Sequence, residues 1–401
     1  MIHWIVVLSL LSNFLFHGFA ENSKAAAELT NVQTQYQFGD SLTVQAHYAF
    51  PADLKQAVLN LQTNTGTLSQ FPLTISANGL LQSQISLAQQ ELPPFSRVYY
   101  WFDLTFTNDT SSTSPSYWFD YSDNRFTWQS NQSKWFNIYW VNGEAVYGEK
   151  LQQIALAGLK TATQILPVSP NLPITIYVYP NAQNVQDILS TTNPDWVAGE
   201  ALPQVNLILV SASVDLNNTQ DLERQIPHEF THLLEYSLTM QNYSTSPAWL
   251  LEGLATNAET YPNSDYARLL QKASNSQSLI PMDQLCHTFS PDTEKAALSY
   301  AQSASFVQYL TSKYGNEKVK QLLQTPGSGL DCSRFVDEIY GVNLEALDTA
   351  WQKATFNQIL IQNDLFQYWP VLTALIVLIV IAVFLRRYLL KKKEKDNGLI
   401  H

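Results

Sequence analysis

The sequence predicts a multidomain chain: an N-terminal all-β sandwich of immunoglobulin type (Ig-like), an α+β domain after it, and one transmembrane helix near the C-terminus. Three observations predict this. From Val32 to about Trp128, short runs alternate apolar and polar residues between turn clusters. From Trp135 onward, strand-like runs give way to segments of helical periodicity. Tyr368 to Leu385 is nearly unbroken Leu, Ile, Val, Ala and Phe without a charge, close to the roughly 20 residues that span a hydrocarbon core.

Composition supports the division. In 401 residues, aromatics reach 12% while charged residues are only 14%, a mix that suits β-rich extracytoplasmic modules rather than a disordered chain. The net charge of −12 excludes a nucleic-acid partner, because that class neutralises phosphates with a basic surface. Six of the 22 basic residues follow Leu385, so the remainder is more acidic still. The two cysteines, Cys286 and Cys332, lack zinc-finger spacing; a disulfide or two buried thiols are both allowed.

Taken in order, residues 1–20 read as a signal peptide, with an apolar run from Ile5 to Leu15 and small residues before Glu21. Residues 21–130 form the sandwich, with Val98–Phe106 its plainest strand and Phe38-Gly39-Asp40, Asn78-Gly79 and Pro93-Pro94 among its turns. No catalytic constellation occurs in it. Asn108, Asn131, Asn217 and Asn242 each open an N-x-S/T triplet. After a polar linker at Gln129–Ser133, a domain over 134–360 starts with a strand at Trp135–Val141 and a helix at Glu144–Leu166. Strands at Pro173–Tyr179 and Asn206–Val210 follow. The periodicity of Leu298, Ala301, Phe306, Val307 and Leu310 predicts a helix over Thr293–Tyr314 with Gly315 as its C-cap. Helices at Lys318–Leu323, Arg334–Ile339 and Leu344–Asn357 are scaffold. The transmembrane helix spans 367–388, with Tyr368 and Trp369 at one interface and a basic cytoplasmic tail at 389–401. The positive-inside rule then makes the chain a single-pass plasma-membrane protein with its N-terminal part extracytoplasmic and its C-terminus cytoplasmic.

The chemistry is concentrated in His228-Glu229-Phe230-Thr231-His232. On a helix, positions i and i+4 share a face, so His228 and His232 aim imidazole nitrogens at one point where zinc fits. Glu229 lies about 100° further round, suited to a general base rather than a ligand. About twenty residues on, Ser246-Pro247-Ala248-Trp249-Leu250-Leu251-Glu252 opens another helix with Ser and Pro at its start, and Glu252 supplies the third ligand. Two histidines and a glutamate leave one position open, as a catalytic zinc requires. One and two turns beyond Glu252 lie Thr256 and Glu259; Glu259 is the better candidate to accept the second nitrogen of a ligating histidine.

H-E-x-x-H followed by W-L-x-E-G-x-A at this separation resembles the gluzincin metallopeptidases, and within them the peptidase MA-like group. The resemblance implies a gluzincin-like fold for the α+β domain and a membrane-anchored, extracytoplasmic zinc metallopeptidase, with Zn2+ as cofactor, a peptide or protein as substrate and the membrane as a second partner. It also implies that the strand preceding the motif is an exposed edge that pairs with extended substrate. A second donor to the oxyanion is expected after the third ligand, with Tyr300 and His287 as candidates. One departure is Pro227, since a proline inside a helix removes a hydrogen bond: either the helix starts there or it is kinked just before the ligands. The alternative is a catalytically inactive zinc-binding surface scaffold or adhesion protein, which keeps the ligands but has no need of Glu229.

Overall fold

The computed structural model describes residues 28–63, 66, 68–88, 92–189, 198–325 and 332–397. The chain divides into two compact units between Phe126 and Thr127.

Among the described residues of the first unit, nine strands form: β1 (Leu29–Gln37), β2 (Ser41–Tyr48), β3 (Leu54–Thr63), β4 (Leu68–Pro72), β5 (Thr74–Ile75), β6 (Leu80–Ser86), β7 (Arg97–Phe106), β8 (Ser111–Thr113) and β9 (Tyr117–Asp120). They make two antiparallel sheets, β1-β2-β6-β5 and β4-β3-β7-β8 with β9 also on β7. Period-2 patterning sets which face is buried. Leu42, Val44 and Ala46 of β2 and Val98, Tyr100, Phe102 and Leu104 of β7 all point inward. Tyr36 of β1 meets Phe119 of β9 with ring centroids 5.5 Å apart, joining the buried faces.

The second unit begins with β10 (Gln129–Gln132), β11 (Phe136–Trp140), α1 (Ala145–Ile165), β12 (Ile174–Tyr179), α2 (Ala182–Gln186), β13 (Gly199–Leu202) and β14 (Leu207–Ser211). Its sheet has the order β10-β11-β12-β14-β13; β11, β12 and β14 run parallel, and the two outer strands run antiparallel to their neighbours. The rest is helical: α3 (Gln220–Thr239), α4 (Ala248–Ala258), α5 (Tyr266–Asn275), α6 (Thr293–Tyr314), α7 (Asn316–Gln324), α8 (Cys332–Tyr340) and α9 (Leu344–Asn397). One apolar core joins the inward side chains of β11, β12 and β14 to α1, α3, α4 and α6, with Trp249, Phe306 and Trp351 among its largest members. Cys286 and Cys332 are disulfide-bonded, with Cα atoms 6.1 Å apart, and tie the start of α8 to the short turn after α5.

Several expectations are corrected here. The fold class stands as a β-sheet region followed by a mostly α-helical unit, in place of an Ig-like sandwich, an α+β domain and a membrane helix. Among the described residues, no helix is long and apolar enough to cross a membrane. The transmembrane helix at 367–388 is therefore overturned, and with it the membrane as partner, the plasma-membrane location with its cytoplasmic tail, and the membrane-anchored part of the functional expectation. The signal peptide at 1–20 lies outside the described residues. Gln129–Gln132, read as linker, is strand β10; its polar sequence fits an edge that pairs on one side only. The exposed edge expected at Asn206–Val210 is instead interior strand β14, and the edge beside it is β13.

Candidate metal centre

Helix α3 carries the motif because one of its faces is apolar and another is not. Ile226, Phe230, Leu233 and Leu234 enter the core, where Phe230 stacks on Phe136 of β11 at 5.6 Å between centroids. The other stripe holds His228, Glu229, His232 and Glu235. Pro227 neither starts nor ends the helix, which begins a full seven residues earlier at Gln220. Helix α4 opens at Ala248 with Pro247 as its cap residue, and Glu252 faces the two histidines. At Gly253 a methyl group would lie 2.6 Å from the Ser303 carbonyl oxygen, so only glycine lets α4 close on α6. That contact sets Glu252 and Tyr300 on the same cavity.

The two imidazoles lie one turn apart with centroids separated by 5.0 Å. His228 Nδ1 faces Glu259 Oε1 at 3.3 Å, and His232 Nδ1 faces Glu235 Oε2 at 2.8 Å. With Nδ1–H donated to these carboxylates, the neutral form of each imidazole has its Nε2 lone pair directed to the cavity. His228 Nε2 and His232 Nε2 then lie 3.3 and 3.7 Å from Glu252 Oε2. Ligands about 2.0–2.1 Å from a tetrahedral zinc are about 3.3–3.4 Å from one another, so the donors fit the ion. Glu252 Oε2 is buried yet makes no hydrogen bond among the described residues, which a shared cation explains. His228, His232 and Glu252 are the residues that would hold it, and the His/His/Glu donor set suits zinc.

Electrostatics agree with a site built around a cation. Burial opposes the charge on Glu252, but His232 and His228 hold its carboxyl well below the ordinary carboxylate range. Burial would lower the His228 imidazolium, and the Glu252 and Glu259 carboxylates reverse this, holding it up to about 10. Glu235 is pushed up to about 7 by complete burial, with His232 opposing.

Glu229 stands beside the ligand cluster and against the sheet edge. It accepts a hydrogen bond from the Ala201 backbone of β13, and burial raises its carboxyl. A methyl group at Gly199 would lie 2.8 Å from Glu229 Oε1, so glycine is what lets the strand come this close. Tyr300 of α6 reaches the cavity with its ring 6.1 Å from that of His228. Its phenol is raised well above the usual value by burial and then by Glu252 and Glu229. His287 is elsewhere, lining a separate cavity beside the disulfide. Sequence reasoning missed three groups at the site. Glu235 could have been found, since it lies at i+3 from His232 on the polar stripe. Tyr243 and Glu200 also line the cavity, of about 410 Å³, but the short segments that carry them have no periodic signal.

The family model described as the peptidase MA superfamily matches residues 152–357, which include α3, α4 and α6 and all three ligands. The chain belongs to the peptidase MA superfamily. With its metal-binding triad intact, this peptidase MA chain is a zinc-dependent metallopeptidase. No curated protein matches it. Among solved structures it is similar to a family 56 carbohydrate-binding module, a β-1,3-glucan binding domain, at 14% identity over 23% of this chain and 99% of that one, TM-score 0.18. It is also similar to the cycloalternan-degrading enzyme of Trueperella pyogenes, at 13% identity over 27% and 16% of the two chains, TM-score 0.19. A purple acid phosphatase from yellow lupin, Lupinus luteus, matches at 14% over 47% and 35%, TM-score 0.22. Likeness at that level carries no argument about this peptidase.

Proposed function

We propose that the centre hydrolyses peptide bonds with Glu229 as the residue that moves the proton. The observation that carries this reading is the place of Glu229: a carboxylate held by the Ala201 backbone beside three zinc-type ligands, in a cavity also lined by the sheet edge. Bound zinc supplies Lewis acidity and a nucleophile at neutral pH. Glu229 takes the proton of the attacking water on its carboxylate and passes it to the leaving nitrogen, and its raised carboxyl favours holding that proton between the two transfers. His228 and His232 are kept in one tautomer by Glu259 and Glu235. Tyr300 stays protonated at neutral pH and is the group offered as donor to the developing oxyanion; Tyr243, likewise raised by burial, stands near His232. Among the described residues β13 is the outer strand of its sheet, a place that suits an extended peptide backbone.

A zinc-binding scaffold has no use for Glu229, so the test is Glu229→Gln. Zinc content and melting temperature should match the parent, while kcat/KM on a mixed peptide library falls at least about 10³-fold, because one residue serves as base and then as acid. Cleavage within about tenfold of the parent would contradict the assignment.

A further inference from the structure

Pro227 sits inside α3, one residue before the first ligand, where proline removes the backbone donor to the carbonyl four residues back. That carbonyl belongs to Glu223, and it accepts a hydrogen bond from the Thr260 backbone N–H at 3.0 Å. Thr260 lies just past the end of α4 and directly follows Glu259. The Glu259 carboxylate is buried, with Oε1 3.3 Å from His228 Nδ1 and Oε2 3.8 Å from Nε of Arg224, the neighbour of Glu223. The proline is packed from its other side by α1, where a methyl group at Gly158 would lie 3.2 Å from Pro227 Cδ.

We propose that Pro227 is a positioning residue: by withholding its own N–H it leaves the Glu223 carbonyl to Thr260, and this latch seats Glu259 on His228. Helix α4 supplies both Glu252 and the exit to Glu259, so one backbone bond registers the helix of the third ligand against the helix of the other two. An N–H at position 227 would compete for the same oxygen along the helix axis and weaken the latch. The proposal rests on the reading of His228 as a metal ligand.

The test uses the full chain and two readouts: exchange of the Thr260 amide in metal-free protein, and zinc affinity by competition with a chromophoric chelator. In Pro227→Ala, Thr260 should exchange about tenfold faster or more, and the zinc dissociation constant should rise about tenfold, the scale of losing a group that orients a ligand. Replacing the Thr260 amide by an ester, with the α-hydroxy analogue of threonine, deletes the donor while leaving every side chain of α3 unchanged and should weaken zinc to the same extent; it decides the question if Pro227→Ala folds poorly. In a Glu259→Gln background, Pro227→Ala should change zinc affinity less than about twofold, because the latch acts through that carboxylate. A folded Pro227→Ala chain with parental zinc affinity overturns the proposal. So does a tenfold loss that persists in Glu259→Gln, which would mark a general structural effect. The parent's own zinc titration reports on the metal site separately, so failure of the site and failure of the latch are distinct results.

Discussion

At the scale of single residues, the site depends on close approaches as much as on its ligands. Gly199 is the sharpest case, since its missing side chain is what lets β13 come against Glu229. Gly199→Ala should push the Glu229 carboxylate from its place on the Ala201 N–H, lowering kcat/KM by about 10²-fold, the scale of a misplaced catalytic group, with zinc content unchanged. Peptide hydrolysis alongside elemental analysis checks both halves; unchanged activity would show that Glu229 is positioned by α3 alone. The ligand set was legible in the sequence because H-E-x-x-H is local: one helical turn makes His228 and His232 neighbours wherever the chain goes next. Glu252 was legible as the one carboxylate early on a short helix, and Glu259 caps the C-terminal end of that same helix. Gly199 was not, because its role exists only where a strand meets a helix thirty residues away in sequence.

At the scale of elements, the sequence was readable where periodicity is long and silent where segments are short. The helix predicted at Thr293–Tyr314 is α6, and the one predicted at Glu144–Leu166 is α1 within a residue at each end. Strand β13 has four residues, Gly-Glu-Ala-Leu, with no alternation to find, so the edge role was placed on the more apolar β14. The resemblance pointed the wrong way here, since the strand that directly precedes the motif is paired on both sides and correspondingly buried. Of the two readings of Pro227, a helix that starts there is ruled out by the start at Gln220, and the Glu223 carbonyl that the proline leaves without a donor accepts the Thr260 N–H. The disulfide between Cys286 and Cys332 closes a separation of 46 residues and holds α8 to the turn after α5. Replacing both cysteines with alanine should cost about 2–4 kcal/mol of stability. Chemical denaturation of the oxidised parent and the double variant measures this, and no difference would mean the helices hold without it.

At the scale of the molecule, the acidic centre makes stability depend on pH in opposite ways with and without metal. In metal-free protein, His228 rises from 6.5 to about 10, so its contribution is complete below about 6.5 and is lost as pH rises through 10. His232 shifts in the same direction, and Glu235, raised to about 7, adds a cost as it ionises between 4.5 and 7. Glu252 is depressed, so its contribution is present above 4.5 and lost in acid. Melting temperature without metal should therefore fall from about pH 6.5 upward, whereas the gain on adding zinc should keep growing up to about pH 10 as protons leave the histidine ligands. Thermal scans with and without zinc check the two slopes; parallel curves would place zinc elsewhere. The apolar run near the C-terminus shows the limit of reading a whole molecule from composition: it gave a membrane helix that the described residues do not form. The account as a whole is tested most directly by cleavage of a peptide library during zinc titration of the chelator-stripped chain. It predicts activity that rises in proportion to zinc and saturates at one ion per chain. Cleavage that persists without zinc, or a fully loaded chain that cleaves nothing across the library, would contradict it.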